Sequence, residues 1–214
     1  MKTLTSESIR ELFPSAGVRK YGKNQIVCYQ GDKPQYAFFV VKGHIKYYDI
    51  DEDGNEKILH IIGPNNIFPM LYAYGVTSEM GAFYSTIDPV ELIAIPMADF
   101  HKAITSNIEF SNDLTKWFLT EIEQLTLRIN SFEKTDSRSK ILYALTYLAI
   151  NYGHSDGQLE RLNFAATQQF LADFTGLTRE TVSVTMSELE KDGVVSNGSG
   201  RTIGIKKKEL EKIT

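Results

Sequence analysis

The sequence predicts an α+β chain: an N-terminal antiparallel β-roll, a long dimerisation helix and a C-terminal winged helix-turn-helix. Three observations carry this. Short β-rich runs recur at regular spacing between residues 18 and 96, apolar residues alternate at spacings of four and three between 111 and 133, and two short helical patterns flank one turn glycine between 167 and 195. Domains are accordingly expected at 1–110, 111–136 and 137–214.

Composition narrows the class. A chain of 214 residues can build a core in each of two domains. It has no apolar run of about eighteen residues and no signal peptide at Met1-Lys2-Thr3-Leu4, so a cytoplasmic chain without a membrane segment is expected. Cys28 is the only cysteine, which excludes an intrachain disulfide, a Cys-rich zinc site and a four-cysteine cluster. The net charge is −4, but it is unevenly spread: 13 Lys and Arg against 18 Asp and Glu in residues 1–136, and 10 against 9 in residues 137–214. The acidic load therefore sits away from the C-terminal helical patterns, although a surplus of one is a faint electrostatic footprint for a nucleic-acid binder.

Residues 4–13 read as a short helix with Leu4, Ile9, Leu12 and Phe13 on its apolar side, ended by Pro14. Strands are expected at 25–29, 37–41, 45–50, 57–62, 82–87 and 90–95, with Asp53-Gly54-Asn55 as a hairpin turn. A short helix at 97–106 precedes the long one at 111–133, on which Leu114, Phe118, Ile122, Leu125, Ile129 and Phe132 form a single seam. Such a seam packs on the roll or pairs with its own copy; the second option predicts a parallel homodimer. Asp136 or Ser137 caps a helix to about residue 152, and a turn at 153–157 leads to a strand at 158–164. The wing is expected at 194–205, followed by Lys206-Lys207-Lys208 as a solvated run or a phosphate contact.

Within 167–195, Phe170, Leu171 and Phe174 form the buried side of the first helix, and Gly176 ends it. Thr178 caps the second helix, whose buried stripe is Val182, Met186 and Leu189. This leaves Arg179, Glu180 and Ser183 outward, near the end that enters a major groove. Thr167, Gln168, Gln169 and Arg201 are expected to touch phosphate. An ordinary helical hairpin has the same periodicity; small Ala172, the turn glycine, the capping threonine and the wing together favour the DNA reader.

These features resemble the Crp-Fnr superfamily of bacterial transcription regulators over essentially the full length. The supporting stretches are Val41-Lys42-Gly43-His44-Ile45-Lys46, Asp53-Gly54-Asn55-Glu56-Lys57, Gly63 with Phe68, Asp136, and Leu177-Thr178-Arg179-Glu180-Thr181-Val182-Ser183. The resemblance implies a cyclic-nucleotide-binding-like jelly roll, a homodimer, double-stranded DNA and RNA polymerase as partners, and a hinge at Asp136. It also exposes departures. Met70 stands where nucleotide-binding members carry a glutamate for the ribose, and Met80-Gly81 where they carry an arginine and a serine for the phosphate. Leu125 and Thr126 replace two hydroxyl residues for the purine, and no Lys or Arg occurs between Lys57 and Lys102. A cyclic phosphate desolvated there would lack a partner charge.

What remains is Phe68, Met70, Leu71, Tyr72, Met80, Gly81 and Phe83, roofed by Ile122, Leu125 and Thr126, a lining suited to a small hydrophobic or aromatic effector. Asp53-Gly54-Asn55-Glu56-Lys57-Ile58-Leu59 followed by Leu71-Tyr72 is similar to the chlorophenol-responsive branch. The alternative is a site filled by its own side chains. Family members also follow position 183 with a guanine-reading arginine; Val184 here offers a methyl contact to thymine instead. Cys28, His44, His60, His101 and His154 lack metal-ligand spacing, so no metal, haem or other cofactor is expected. No catalytic motif is present, and an enzyme is not expected. A winged helix that contacts protein instead of DNA is the remaining alternative.

Overall fold

The computed structural model describes residues 4–198 and 202–211, with the backbone alone at 130–132. Its contacts divide into two compact units, Met1–Thr120 and Glu121–Thr214.

In the first unit, α1 (Ser6–Leu12) starts from a capping box between Thr5 and Ser8. Eight strands follow: β1 (Gly17–Tyr21), β2 (Ile26–Cys28), β3 (Tyr36–Lys42), β4 (Ile45–Ile50), β5 (Glu56–Ile62), β6 (Ile67–Phe68), β7 (Phe83–Thr86) and β8 (Val90–Pro96). The short helix α2 (Met70–Ala73) intervenes before β7. Two four-stranded antiparallel sheets result, in the orders β1-β8-β3-β6 and β2-β7-β4-β5. The sequence does not single out β1 because it is a charged edge strand: Arg19 and Lys20 interrupt its apolar pattern, and most of it is exposed.

Strand β3 explains why its sequence is apolar throughout instead of alternating. Its side chains point to opposite faces in turn, and both faces are covered. Ala37 and Phe39, with Ile93 and Ile95 of β8, join a core shared with α1, α3 (Met97–Ser106) and the start of α4 (Ile108–Phe132). Phe38 and Val40, with Leu92 and Ala94, join a second core between the two sheets. The β4–β5 turn forms as expected. The Asp51 carboxylate accepts from the backbone N–H groups of Asp53 and Asn55 at 3.1 and 2.9 Å, and Gly54 takes φ +81°.

Helix α4 begins three residues earlier than expected. Phe110 and Leu114 are buried in the helix-side core, and Trp117 and Phe118 pack against it. The Trp117 indole N–H donates to the Asn66 carboxamide oxygen at 2.6 Å, tying α4 to the loop before β6.

The second unit contains the last turns of α4, then α5 (Ser137–Tyr152), β9 (Gly153–Asp156), β10 (Leu159–Leu162), α6 (Gln168–Thr175), α7 (Arg179–Lys191), β11 (Val195–Asn197), β12 (Ile203–Lys206) and α8 (Lys207–Leu210). Asp136 caps α5, its carboxylate accepting from the Ser139 N–H at 2.8 Å, and that bond holds the carboxyl below the usual range. Residues 153–156, expected as part of a turn, are a strand paired with β10. The wing is therefore half of a four-stranded sheet, β11-β12-β10-β9. The lysine run is no loose tail either: Lys207 opens α8, and its ammonium donates to the Gly157 carbonyl at 2.9 Å. Arg201 lies outside the described residues. Among the described residues, no helix is long and apolar enough to cross a membrane.

Candidate nucleic-acid interface

The turn between α6 and α7 is built from three backbone devices. The Thr167 hydroxyl accepts from the Phe170 N–H at 3.1 Å and starts α6. Gly176 stops that helix at φ +70°, its N–H reaching the Ala172 carbonyl, in the left-handed region that a residue with a Cβ enters only at a cost. The Thr178 hydroxyl then accepts from the Thr181 N–H at 3.2 Å and opens α7. Val182, Met186 and Leu189 are buried as the periodicity requires, with Thr185 beside them. Arg179, Glu180 and Val184 are exposed and Ser183 half-buried, so the four form the outward edge of the first two turns. Among the phosphate candidates, Gln168 and Gln169 are exposed at the start of α6, and the Gln169 carboxamide is tethered to Asp173 at 2.7 Å.

Contacts that the sequence does not announce hold α7 in place. Arg138, in the first turn of α5, pairs with Asp192 at 2.7 Å, and the Asn197 carboxamide donates to Glu190 at 3.1 Å. Arg128 on α4 lies under Phe174 of α6. None of these pairs follows a local motif, and Arg138–Asp192 and Arg128–Phe174 join residues more than forty positions apart.

The candidate sensory residues divide. Phe68 and Met80 are buried in the inter-sheet core, with Tyr72 packed against it. Phe68 stacks on Phe38 at 5.3 Å and on Tyr84 at 5.0 Å. Phe83 stacks on Tyr48 at 5.4 Å, and Gly81 is an exposed neighbour of the Tyr47 hydroxyl. Met70 is elsewhere: it opens α2 just after β6 ends at Phe68, so it faces the helix-side core. Leu71 is exposed. Ile122, Leu125 and Thr126 belong to the second unit and are exposed.

The seam on α4 also divides. Leu114 is fully buried and Phe118 packs on Trp117 and Tyr74, so both serve the first unit's own core. The outward apolar face starts at Leu119 and continues through Ile122, Leu125 and Ile129; the Phe132 side chain lies outside the described residues. Leu114 sits one turn from Phe110, on the side the roll covers, whereas the later seam positions Ile122, Leu125 and Ile129 are exposed.

Cys28 is buried, and burial, with Asp32 adding to it, pushes its thiol up to about 12. The thiol is therefore neutral and unreactive at physiological pH. Among the described residues no three His, Cys, Asp or Glu side chains are grouped to hold a metal ion.

Two domain families match the chain: the cyclic nucleotide-binding domain over residues 18–107 and the Crp-like helix-turn-helix domain over residues 139–213. The global nitrogen regulator of Nostoc sp. is 23% identical over 84% of this chain and 81% of its own length. The cAMP-activated global transcriptional regulator CRP of Salmonella typhimurium is 22% identical over 94% of this chain and 95% of its own. The solved structure of CprK complexed with OCPA shares the fold with a TM-score of 0.68 and 20% identity, over 99% of this chain and 95% of that one.

Proposed function

From the cyclic nucleotide-binding and Crp-like helix-turn-helix domains that match its two parts, we infer that this chain is a Crp-Fnr-type transcription regulator that reads a palindromic operator as a homodimer under the control of a small hydrophobic effector. The observation that carries the DNA half is the leading edge of α7: Arg179, Glu180, Ser183 and Val184 stand outward on a helix whose start is fixed by Thr178. Arg179 is the guanine reader, Glu180 accepts from cytosine or adenine amino groups, and Val184 touches a thymine methyl. Thr167, Gln168, Gln169 and Arg201 set orientation through phosphate. The exposed apolar face from Leu119 to Ile129 supports pairing of two α4 helices, which places two recognition helices about one DNA turn apart.

An uncharged apolar effector is favoured because the stretch from Lys57 to Lys102 supplies no intervening cation. Tyr72, Met80 and Phe83 are its candidate contacts, and an aromatic compound is the first class to try. Its binding acts only through a difference in affinity between the DNA-competent state and the other. Activation through RNA polymerase is the expected output. A second reading has its own observation: the stack Phe38–Phe68–Tyr84 occupies the space between the sheets, as in a regulator with a filled core that is controlled by abundance or by a partner.

Two experiments decide these points. Selection of duplex DNA from a random pool should return an inverted repeat without the guanine that an arginine at position 184 would read; an enriched guanine there overturns the assignment. A thermal-shift screen of aromatic phenols and acids, cyclic nucleotides and haem should show stabilisation by an aromatic compound. Stabilisation by cAMP overturns the apolar reading, and no shift with any compound selects the filled core.

A further inference from the structure

The last turns of α4 carry a buried charge. Arg128 is 4% exposed, and its guanidinium carbon lies 3.9 Å from the centroid of the Phe174 ring. A terminal nitrogen donates to the Phe174 carbonyl at 3.5 Å. Phe174 is the second-last residue of α6, so its carbonyl belongs to the turn whose acceptors have no partner within the helix. A cation there also meets the negative end of the helix dipole. The ring is fixed from its other sides, 5.9 Å from Phe170 in parallel and 5.9 Å from Tyr147. Burial brings the guanidinium down to about 10, against the pull of the Tyr147 and Tyr152 hydroxyls, so it is charged at neutral pH.

Desolvating a charge is costly, and a well-packed apolar side chain often joins two helices at least as stably. What the guanidinium adds is direction. It lies over the Phe174 ring while one nitrogen donates to the Phe174 carbonyl, and two contacts from one planar group constrain the rotation of α6 as well as its distance. Two residues beyond Phe174 the chain turns at Gly176 and enters α7 through the Thr178 cap.

We propose that Arg128 is a positioning residue that sets the angle of the recognition helix on the α4 helix, and thereby the half-site spacing the dimer accepts. This rests on the regulator reading above. The test uses the full chain and its selected operator, together with operators whose half-sites are moved by one or two base pairs, with affinity followed by fluorescence anisotropy and folding by thermal melting. The wild type should lose about tenfold or more in affinity on such a shift. Arg128→Met keeps the apolar stem and removes the charge. It should leave the base preference within each half-site unchanged while the spacing penalty falls below about threefold, and Arg128→Lys should fall between. Phe174→Leu, which removes the ring, should relax spacing equally, and the double variant should add nothing further.

A merely structural arginine predicts a different pattern, with melting temperature and affinity for all operators falling together and the spacing penalty intact; that result overturns the proposal. If Arg128→Met does not fold, Arg128→Lys and Phe174→Leu decide between the same outcomes. Failure of the regulator reading is recognisable separately, because the wild type would then select no DNA sequence, and the positioning role would fall with it.

Discussion

The inter-sheet core of the roll and the leading edge of α7 carry the two halves of one proposed function on opposite structural plans. In the core, Phe38, Phe68, Tyr84 and Met80 are buried side by side, and each position is defined by what fills the space next to it. On α7, Arg179, Glu180 and Val184 are exposed, and all three lie in the first two turns that the Thr178 cap opens. The contrast teaches that a reading surface can change its chemistry without changing its fold. A packed interior cannot: altering its contents alters its stability.

The largest expected effect tests that claim on the core side. Phe68→Ala should lower stability by about 3–5 kcal/mol in denaturant titration, since it removes the centre of the stack; a loss under about 1 kcal/mol would mean the interior there is not filled. The same variant should gain thermal stabilisation from benzene-sized compounds if a dry cavity results. On the α7 side, Arg179→Ala with Glu180→Ala should change stability by no more than about 1 kcal/mol. Its discrimination among operator variants should nonetheless fall by about 1–3 kcal/mol at each base pair read, measured by competition binding. Full retention of sequence preference would remove both residues from the reading surface.

Thr178→Ala sits between the two plans, because it removes a cap beneath the reading edge. It should cost about 1 kcal/mol in thermal denaturation and weaken operator binding along with it. At neutral pH the smallest effect on stability is at Cys28. Its folded thiol is raised to about 12 while the unfolded one titrates near the ordinary ~8.5, so the folded form holds its proton when the unfolded form has lost it. Stability from this group is complete below the unfolded value and declines as pH rises towards 12. Neutral-pH alkylation should therefore be slow in the native protein and fast in denaturant; equal rates would contradict the burial.

The same contrast governs what the sequence discloses. The cap at Thr178, the glycine at 176 and the stripe Val182, Met186 and Leu189 are local, so spacing alone places them, whereas Thr167, expected only as a phosphate contact, also caps α6. The alternation of β3 between two cores is also latent in its unbroken apolar run, although which face meets which helix is not. Met70 and Phe68 are two residues apart yet belong to different cores, a separation made by the switch from strand to helix between them. Leu114 and Ile122 share one seam on paper. The first is buried in the first unit's core and the second is exposed, which no periodicity within α4 can reveal. Arg128 looks in sequence like any charged residue on an exposed helix; its burial depends on Phe174, 46 residues away.

The chain has one tryptophan, and its indole N–H is held by Asn66 at 2.6 Å where α4 meets the roll. If α4 shifted on its domain, that bond would be exchanged for water, and the polarity around the only strongly emitting side chain would change. The protein thus carries an intrinsic optical gauge where α4 meets the roll, on the route the proposed effector signal would take. Titration without any attached dye would then report movement of α4 independently of DNA.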